Sequence, residues 1–239
     1  MKILPDWLKN GYLRLMEPIA DFLVRRGVRP NTITIWGTVF MVAAGIIYGA
    51  GHISIGGWLL GLTALTDVLD GKVARKTNSS STYGAFLDST LDRVADGATL
   101  GGLAFFFAFS PVHKSPIMVA VCIAGLIGAF LTSYTRARAE ALGLDAKVGM
   151  LQRPERVVML SAPQAFFGLA LNGWVLTIII NILTITAWVT VVQRMKYVYD
   201  ATRPAPAPIT ESDAEPTEYR LWERRSRRDT AARPALKGE

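Results

Sequence analysis

The sequence predicts an all-α integral membrane protein with six transmembrane helices, preceded by an N-terminal amphipathic interfacial helix. Three observations carry this. Half of the 239 residues are hydrophobic (51%). They fall into uncharged or nearly uncharged runs close to 20 residues long, the length that crosses a bilayer as a helix. Lys and Arg are concentrated in alternate connections between those runs, the asymmetry of a multi-pass membrane chain.

Three regions follow. Residues 1–29 form the interfacial segment. Leu4, Trp7, Leu8, Leu15, Ile19, Phe22 and Leu23 recur near helical spacing, with Lys9, Arg14, Arg25 and Arg26 between them, a pattern that lies flat in a membrane surface. Pro18 is expected to kink or divide it. No continuous apolar stretch of signal-peptide type forms, because Asp6, Lys9, Arg14 and Glu17 interrupt the start. Residues 30–199 form the membrane domain. Asn31 has the side chain of a helix N-cap and opens the first span, over 33–51. The second runs over 54–76, the third from about Tyr83 to Phe109, the fourth over 116–135 with a basic extension to Glu140. The fifth runs from about 156 to 172, with Pro154 suited to a first helical turn, and the sixth over 174–193. Residues 200–239 alternate Pro and Ala and then mix charges, as a disordered tail does.

The net charge of +7 raises the possibility of a nucleic-acid binder, but spans without charge exclude it. The N-terminal segment, the 72–82 and 136–156 connections and the tail hold the basic residues, while the opposite turns hold only Lys114. Both termini and those connections are therefore expected on the cytoplasmic side. Cys122 is alone, so no intrachain disulfide exists, and it is expected to be a small core or lipid-facing residue.

Into two of the spans the sequence places acids. Asp67-Val-Leu-Asp70-Gly71-Lys-Val-Ala74-Arg75 is followed after eight residues by Gly84-Ala-Phe-Leu-Asp88-Ser-Thr-Leu-Asp92. Spacings of three and four put Asp67, Asp70, Gly71 and Ala74 on one helix face, and Gly84, Asp88, Asp92 and Asp96 on another. Both sets lie next to the loop that joins the two helices, so they share one membrane depth. Carboxylates grouped in lipid are costly unless a cation neutralises them. Oxygen-only donors suit Mg²⁺, Mn²⁺ or Ca²⁺ rather than zinc. The competing account is a structural network with Lys72, Arg75 and Arg93.

The pattern Asp-x2-Asp-Gly-x2-Ala-Arg-x8-Gly-x3-Asp-x3-Asp, complete from Asp67 to Asp92, resembles the signature of the CDP-alcohol phosphatidyltransferase family. The resemblance implies an enzyme that moves a phosphatidyl group from CDP-diacylglycerol to an alcohol and releases CMP. It implies two Mg²⁺ or Mn²⁺ ions on Asp67, Asp70, Asp88 and Asp92, where the residues alone allow one or two. It further implies that Asp92 is the general base, that Asn31, Asp67, Asp70, Gly71, Ala74, Arg75 and Gly84 frame the CDP-lipid, and that the enzyme is a homodimer. Asp96 lies outside the signature, either behind the acids or on the helix surface.

For the acceptor, Arg136, Arg153, Arg156 and Arg194 gather at helix ends at the depth of the acids. Arginine suits bidentate phosphate binding, although loop charge alone also accounts for them. Ser133-Tyr134-x-Arg136-Ala-Arg138-Ala-Glu140, Arg153-Pro-Glu-Arg156, Gln193-Arg194 and Asp92-Arg93-Val-Ala-Asp96-Gly97 resemble the matching parts of family members that use inositol 1-phosphate. Position 136 departs from them in being Arg rather than Lys. A small phosphorylated polyol is the expected acceptor, with glycerol 3-phosphate the alternative within the family. Outside it, a cation transporter would need acids at mid-span and a path to both faces; here they sit at one end.

Overall fold

In the computed structural model, which describes residues 16–151 and 153–203 together with Trp222 and Arg225, the described residues form helices joined by short turns and no strand. Seven α-helices follow in order: α1 Glu17–Arg25, α2 Pro30–Gly49, α3 Ile53–Lys76, α4 Thr82–Phe109, α5 Pro116–Ala141, α6 Arg153–Phe167 and α7 Trp174–Thr202. A 3₁₀ turn, Ala170–Gly173, separates the last two. The first fifteen residues of the expected amphipathic segment and most of the expected tail lie outside the described residues.

Among the described residues, four helical stretches are long and apolar enough to cross a membrane: Pro30–Gly49, Ile53–Lys76, Pro116–Ala141 and Ala170–Thr202. The other two expected spans differ for separate reasons. α4 has 28 residues, but Asp88, Asp92, Arg93 and Asp96 charge its first half. α6 has 15 residues, shorter than the 156–172 expected, because the backbone turns left-handed at Gly168 and again at Leu171, Asn172 and Gly173. At the chain's far end the helix does not stop at Arg194. It continues to Thr202, since Met195-Lys-Tyr-Val-Tyr-Asp-Ala is compatible with a helix though not with lipid along its whole length.

Pro18 sits in the first turn of α1, where its missing N–H costs nothing, and the part of the expected segment before Met16 lies outside the described residues. One local expectation is corrected. Asn31 does not cap α2. Pro30 occupies the first turn, Arg29 holds the cap position, and no side chain caps the end. Capping by Ser occurs instead on α4, where Ser81 Oγ accepts from the Gly84 N–H at 3.0 Å, and on α5, where Ser115 accepts from Met118.

α1 packs on α3: Met16, Ala20, Leu69 and Val73 form one buried cluster with Ile33 of α2. Its acids are fastened to the end of α3: Lys76 lies 2.6 Å from Glu17 and 2.5 Å from Asp21, and Lys72 pairs with Glu17. The hydrogen bonds from Lys72 and Lys76 hold the Glu17 carboxyl far below its usual range, at about 2 against 4.5. A depressed folded value means the pairing contributes fully above pH 4.5 and is lost as pH falls through 2. Amide protection factors in residues 17–25 should accordingly hold at pH 5 and fall between pH 4.5 and 2. Protection factors independent of pH across that window would remove Glu17 as the fastening.

The bundle core is assembled from Met41, Ala44 and Tyr48 of α2, Leu60 of α3, Leu103 and Phe106 of α4, Cys122 of α5, Leu160 of α6 and Leu176 and Ile180 of α7. Cys122 is thus a core residue. Tyr48 is wholly buried and donates to the Leu160 carbonyl at 3.4 Å. Large apolar residues also cover the outside, among them Trp36, Phe40, Ile46, Trp58, Phe105 and Ile178, as expected where the surroundings are hydrocarbon rather than water. α2 and α4 cross backbone to backbone. A Cβ on Gly102 would lie 1.9 Å from the Gly45 carbonyl oxygen, and one on Gly45 would lie 2.3 Å from that of Ala98. Only small residues permit such an approach, and it sets α4's acids opposite the start of α2.

Candidate active site

The second half of α3 and the first half of α4 leave the same turn. The turn is made by a left-handed Asn78 and by the Ser81 cap. This places the two acid stripes side by side at one end of the bundle. Asp88 acts electrostatically on Asp67, Asp70 and Asp92, so carboxylates from both helices feel one another as the spacing predicts.

Each acid has a different surrounding. Asp70 accepts from Thr34 Oγ1 at 2.8 Å; the same hydroxyl also reaches the Pro30 carbonyl. Asp67 and Asp92 share a single cationic atom. Arg153 Nη1 lies 2.7 Å from Asp67 Oδ2 and 3.0 Å from Asp92 Oδ1. Asp92 has a second, looser neighbour in Arg93 at 3.9 Å. Asp88 is half-buried, with no hydrogen bond or ion pair among the described residues. Asp96 faces Arg156 at 3.5 Å.

Side chains lie close against both glycines of the signature. A Cβ on Gly71 would touch the Arg75 guanidinium at 3.4 Å, so Arg75 folds back over that glycine. A Cβ on Gly84 would lie 3.2 Å from both Asn31 Oδ1 and Ser81 Oγ. Asn31 therefore meets the start of α4 instead of closing its own helix. Ala74 lies on the same α3 face, one turn beyond Asp70 and Gly71.

The basic residues divide into two groups. Arg153 belongs with the acids, and Arg156, one turn further along α6, bridges to the remaining group. Arg194 is pinned by two carbonyls, Val148 at 2.9 Å and Thr132. The cations acting on it are Arg136 and Arg156. Arg136 pairs along its own helix with Glu140 at 2.9 Å. Arg136 near the end of α5 and Arg156 near the start of α6 thus both act electrostatically on Arg194 within α7.

Among the described residues, no three acids, histidines or cysteines stand close enough to share a metal ion. The donor set still fits a hard divalent cation. Two carboxylates from different helices already lie within 3.0 Å of one positive atom, and Asp88 acts electrostatically on both of them and on Asp70. All donors are oxygen, as Mg²⁺ and Mn²⁺ prefer.

Thr34 was not foreseen. A threonine one turn into an apolar span reads as a back-bonded helix residue; its link to Asp70 spans 36 residues and has no signal in local pattern.

Comparison with known proteins agrees with this arrangement. The family model for CDP-alcohol phosphatidyltransferase matches residues 28–193. The phosphatidylinositol phosphate synthase of Mycobacteroides abscessus is 38% identical over 188 residues, which are 78% of this chain and 84% of that protein. The same enzyme from Cutibacterium acnes is 40% identical over 198 residues, 80% of this chain and 95% of that one. Among solved structures, phosphatidylinositol phosphate synthase of Mycobacterium tuberculosis with CDP-DAG bound superposes with a TM-score of 0.72 at 31% identity, covering 81% of this chain and all of that one. Its complex with manganese and citrate gives a TM-score of 0.71. The family match takes in both acid-bearing helices together with Arg136, Arg153 and Arg156 and ends one residue before Arg194, and on that ground this integral membrane chain belongs to the CDP-alcohol phosphatidyltransferase family.

Proposed function

We propose that the protein transfers the phosphatidyl group of CDP-diacylglycerol to a hydroxyl of inositol 1-phosphate and releases CMP. The observation that carries this reading is the meeting of two opposite clusters at one end of the bundle: acids from α3 and α4, and Arg136, Arg156 and Arg194 from α5, α6 and α7. A diphosphate lipid and a phosphorylated alcohol need those two environments side by side. The relatives' names and the CDP-DAG complex support the same pair of substrates.

In this reading Asp67, Asp70, Asp88 and Asp92 hold one or two Mg²⁺ or Mn²⁺ ions. Bound divalent cations neutralise a diphosphate and the charge that develops on the departing nucleotide. Asn31, Gly71, Ala74, Arg75 and Gly84 frame the CDP moiety, and Thr34 keeps Asp70 turned toward it. Asp92 accepts the proton of the attacking hydroxyl; it stands at the boundary between the two clusters. Arg136, Arg156 and Arg194 take the acceptor's phosphate. Arg153 neutralises Asp67 and Asp92, a role different from the acceptor contact the sequence suggests for it. Six spans, with α4 and α6 crossing alongside the four more apolar helices, put this end in the cytoplasm. An interfacial N-terminal helix and a homodimer complete the reading, the latter on family resemblance.

Purified protein supplied with CDP-diacylglycerol and Mn²⁺ should release CMP with inositol 1-phosphate, and not with inositol, serine or glycerol 3-phosphate. Release with glycerol 3-phosphate alone would make it a phosphatidylglycerophosphate synthase. No release with any of the four would overturn the assignment. Arg194→Ala should raise the acceptor's KM about tenfold or more, the loss of a charge-assisted contact, and leave that of the lipid near its starting value.

A further inference from the structure

α4 and α6 both run into the bundle from the acid-bearing end, and two ion pairs connect them in register. Arg153 meets Asp92, and one turn deeper on each helix Arg156 meets Asp96. The first pair involves the signature acids. The second does not: Asp96 lies four residues past Asp92 and, among the described residues, forms an ion pair with Arg156 alone.

Arg156 stands in an unfavourable place. It and Arg136 both act on Arg194, and like charges repel. Arg194 cannot retreat, because the Val148 and Thr132 carbonyls pin it. Arg156 is mostly buried and lines a cavity of about 50 Å³ with Asp96, Thr99, Leu160 and Thr184. What opposes the repulsion is the Asp96 carboxylate. It engages Nη2 at 3.5 Å and leaves Nε, which is buried and has no partner. A buried guanidinium nitrogen without an acceptor is costly and is satisfied by an anion arriving among the three arginines.

Resting on the assignment of those arginines to the acceptor's phosphate, we infer that Asp96 is a positioning residue for the acceptor: it holds Arg156 within the cluster with one edge free for phosphate. It therefore helps the site favour a phosphorylated polyol over the bare alcohol.

The test is steady-state kinetics of the full-length enzyme in nanodiscs, varying inositol 1-phosphate and CDP-diacylglycerol separately. Asp96→Ala should raise the KM for inositol 1-phosphate about tenfold, the worth of one charge-assisted hydrogen bond, with the KM for CDP-diacylglycerol changed less than about twofold. Asp96→Asn keeps the shape and one acceptor oxygen; it should raise the acceptor KM by only about threefold, and it serves alone if D96A does not fold. Combined with Arg156→Ala, D96A should add almost nothing, since both act through one guanidinium. Equal increases in both KM values, or a full additional increase on the R156A background, would overturn the inference. A raised acceptor KM in R156A with none in D96A and D96N would overturn it while leaving the phosphate site intact. An unchanged acceptor KM in R156A would overturn the phosphate-site assignment and this inference together.

Discussion

Asp88→Asn should lower turnover by about a thousandfold while the protein still inserts, folds and melts at or above the temperature of the parent. The size follows from the loss of one oxygen ligand in a site whose chemistry is charge stabilisation. The separation of activity from folding follows from the surroundings. Asp88 makes no hydrogen bond or ion pair among the described residues, so an amide of the same shape breaks nothing. It also removes a charge that presses on Asp67, Asp70 and Asp92. CMP release and thermal unfolding, measured on one preparation, check both halves. Retained turnover would take Asp88 out of the site; lost folding would make it a structural acid.

Arg153→Ala is expected to act mainly on stability, and only when divalent metal is withheld. The guanidinium is mostly buried and bridges Asp67 and Asp92 from two helices. Its removal leaves two half-sunken carboxylates facing one another, a cost of about 3 kcal/mol for a broken buried pair. A divalent ion offers those acids the charge the arginine supplied, so Mn²⁺ should restore more of the lost melting temperature in the variant than it adds to the parent. The comparison is thermal unfolding with chelator and with Mn²⁺. An equal deficit under both conditions would mean that arginine and metal do not draw on the same carboxylates.

These two residues also mark what the sequence could and could not reveal. The acids were legible because helical spacing alone decides which of them share a face, and a charge in an apolar run stands out against its neighbours. The long spans were legible for the same reason. Arg153 was legible as a cation near the right depth, and the pattern grouped it with Arg136, Arg156 and Arg194. Its partner Asp67 is 86 residues away, and periodicity within a helix says nothing about which neighbouring helix it faces. Thr34 escaped for that reason too. The short α6 was misjudged because Phe166 to Leu171 is apolar enough to continue a span; the left-handed backbone from Gly168 ends it. Asn31 suited a cap by type, but Pro30 took the first turn and moved it inside.

The brevity of α6 reaches beyond the protein itself. Fifteen residues rise only about 22 Å, while the oily interior of a bilayer measures about 30 Å. On the six-span reading, the leaflet remote from the acids therefore meets a notch roughly 8 Å deep at that helix. Phe166 and Phe167 stand exposed at its rim. On that same reading acyl chains would bend or shorten there to cover it, leaving the bilayer thinnest beside the helix that carries Arg153 and Arg156.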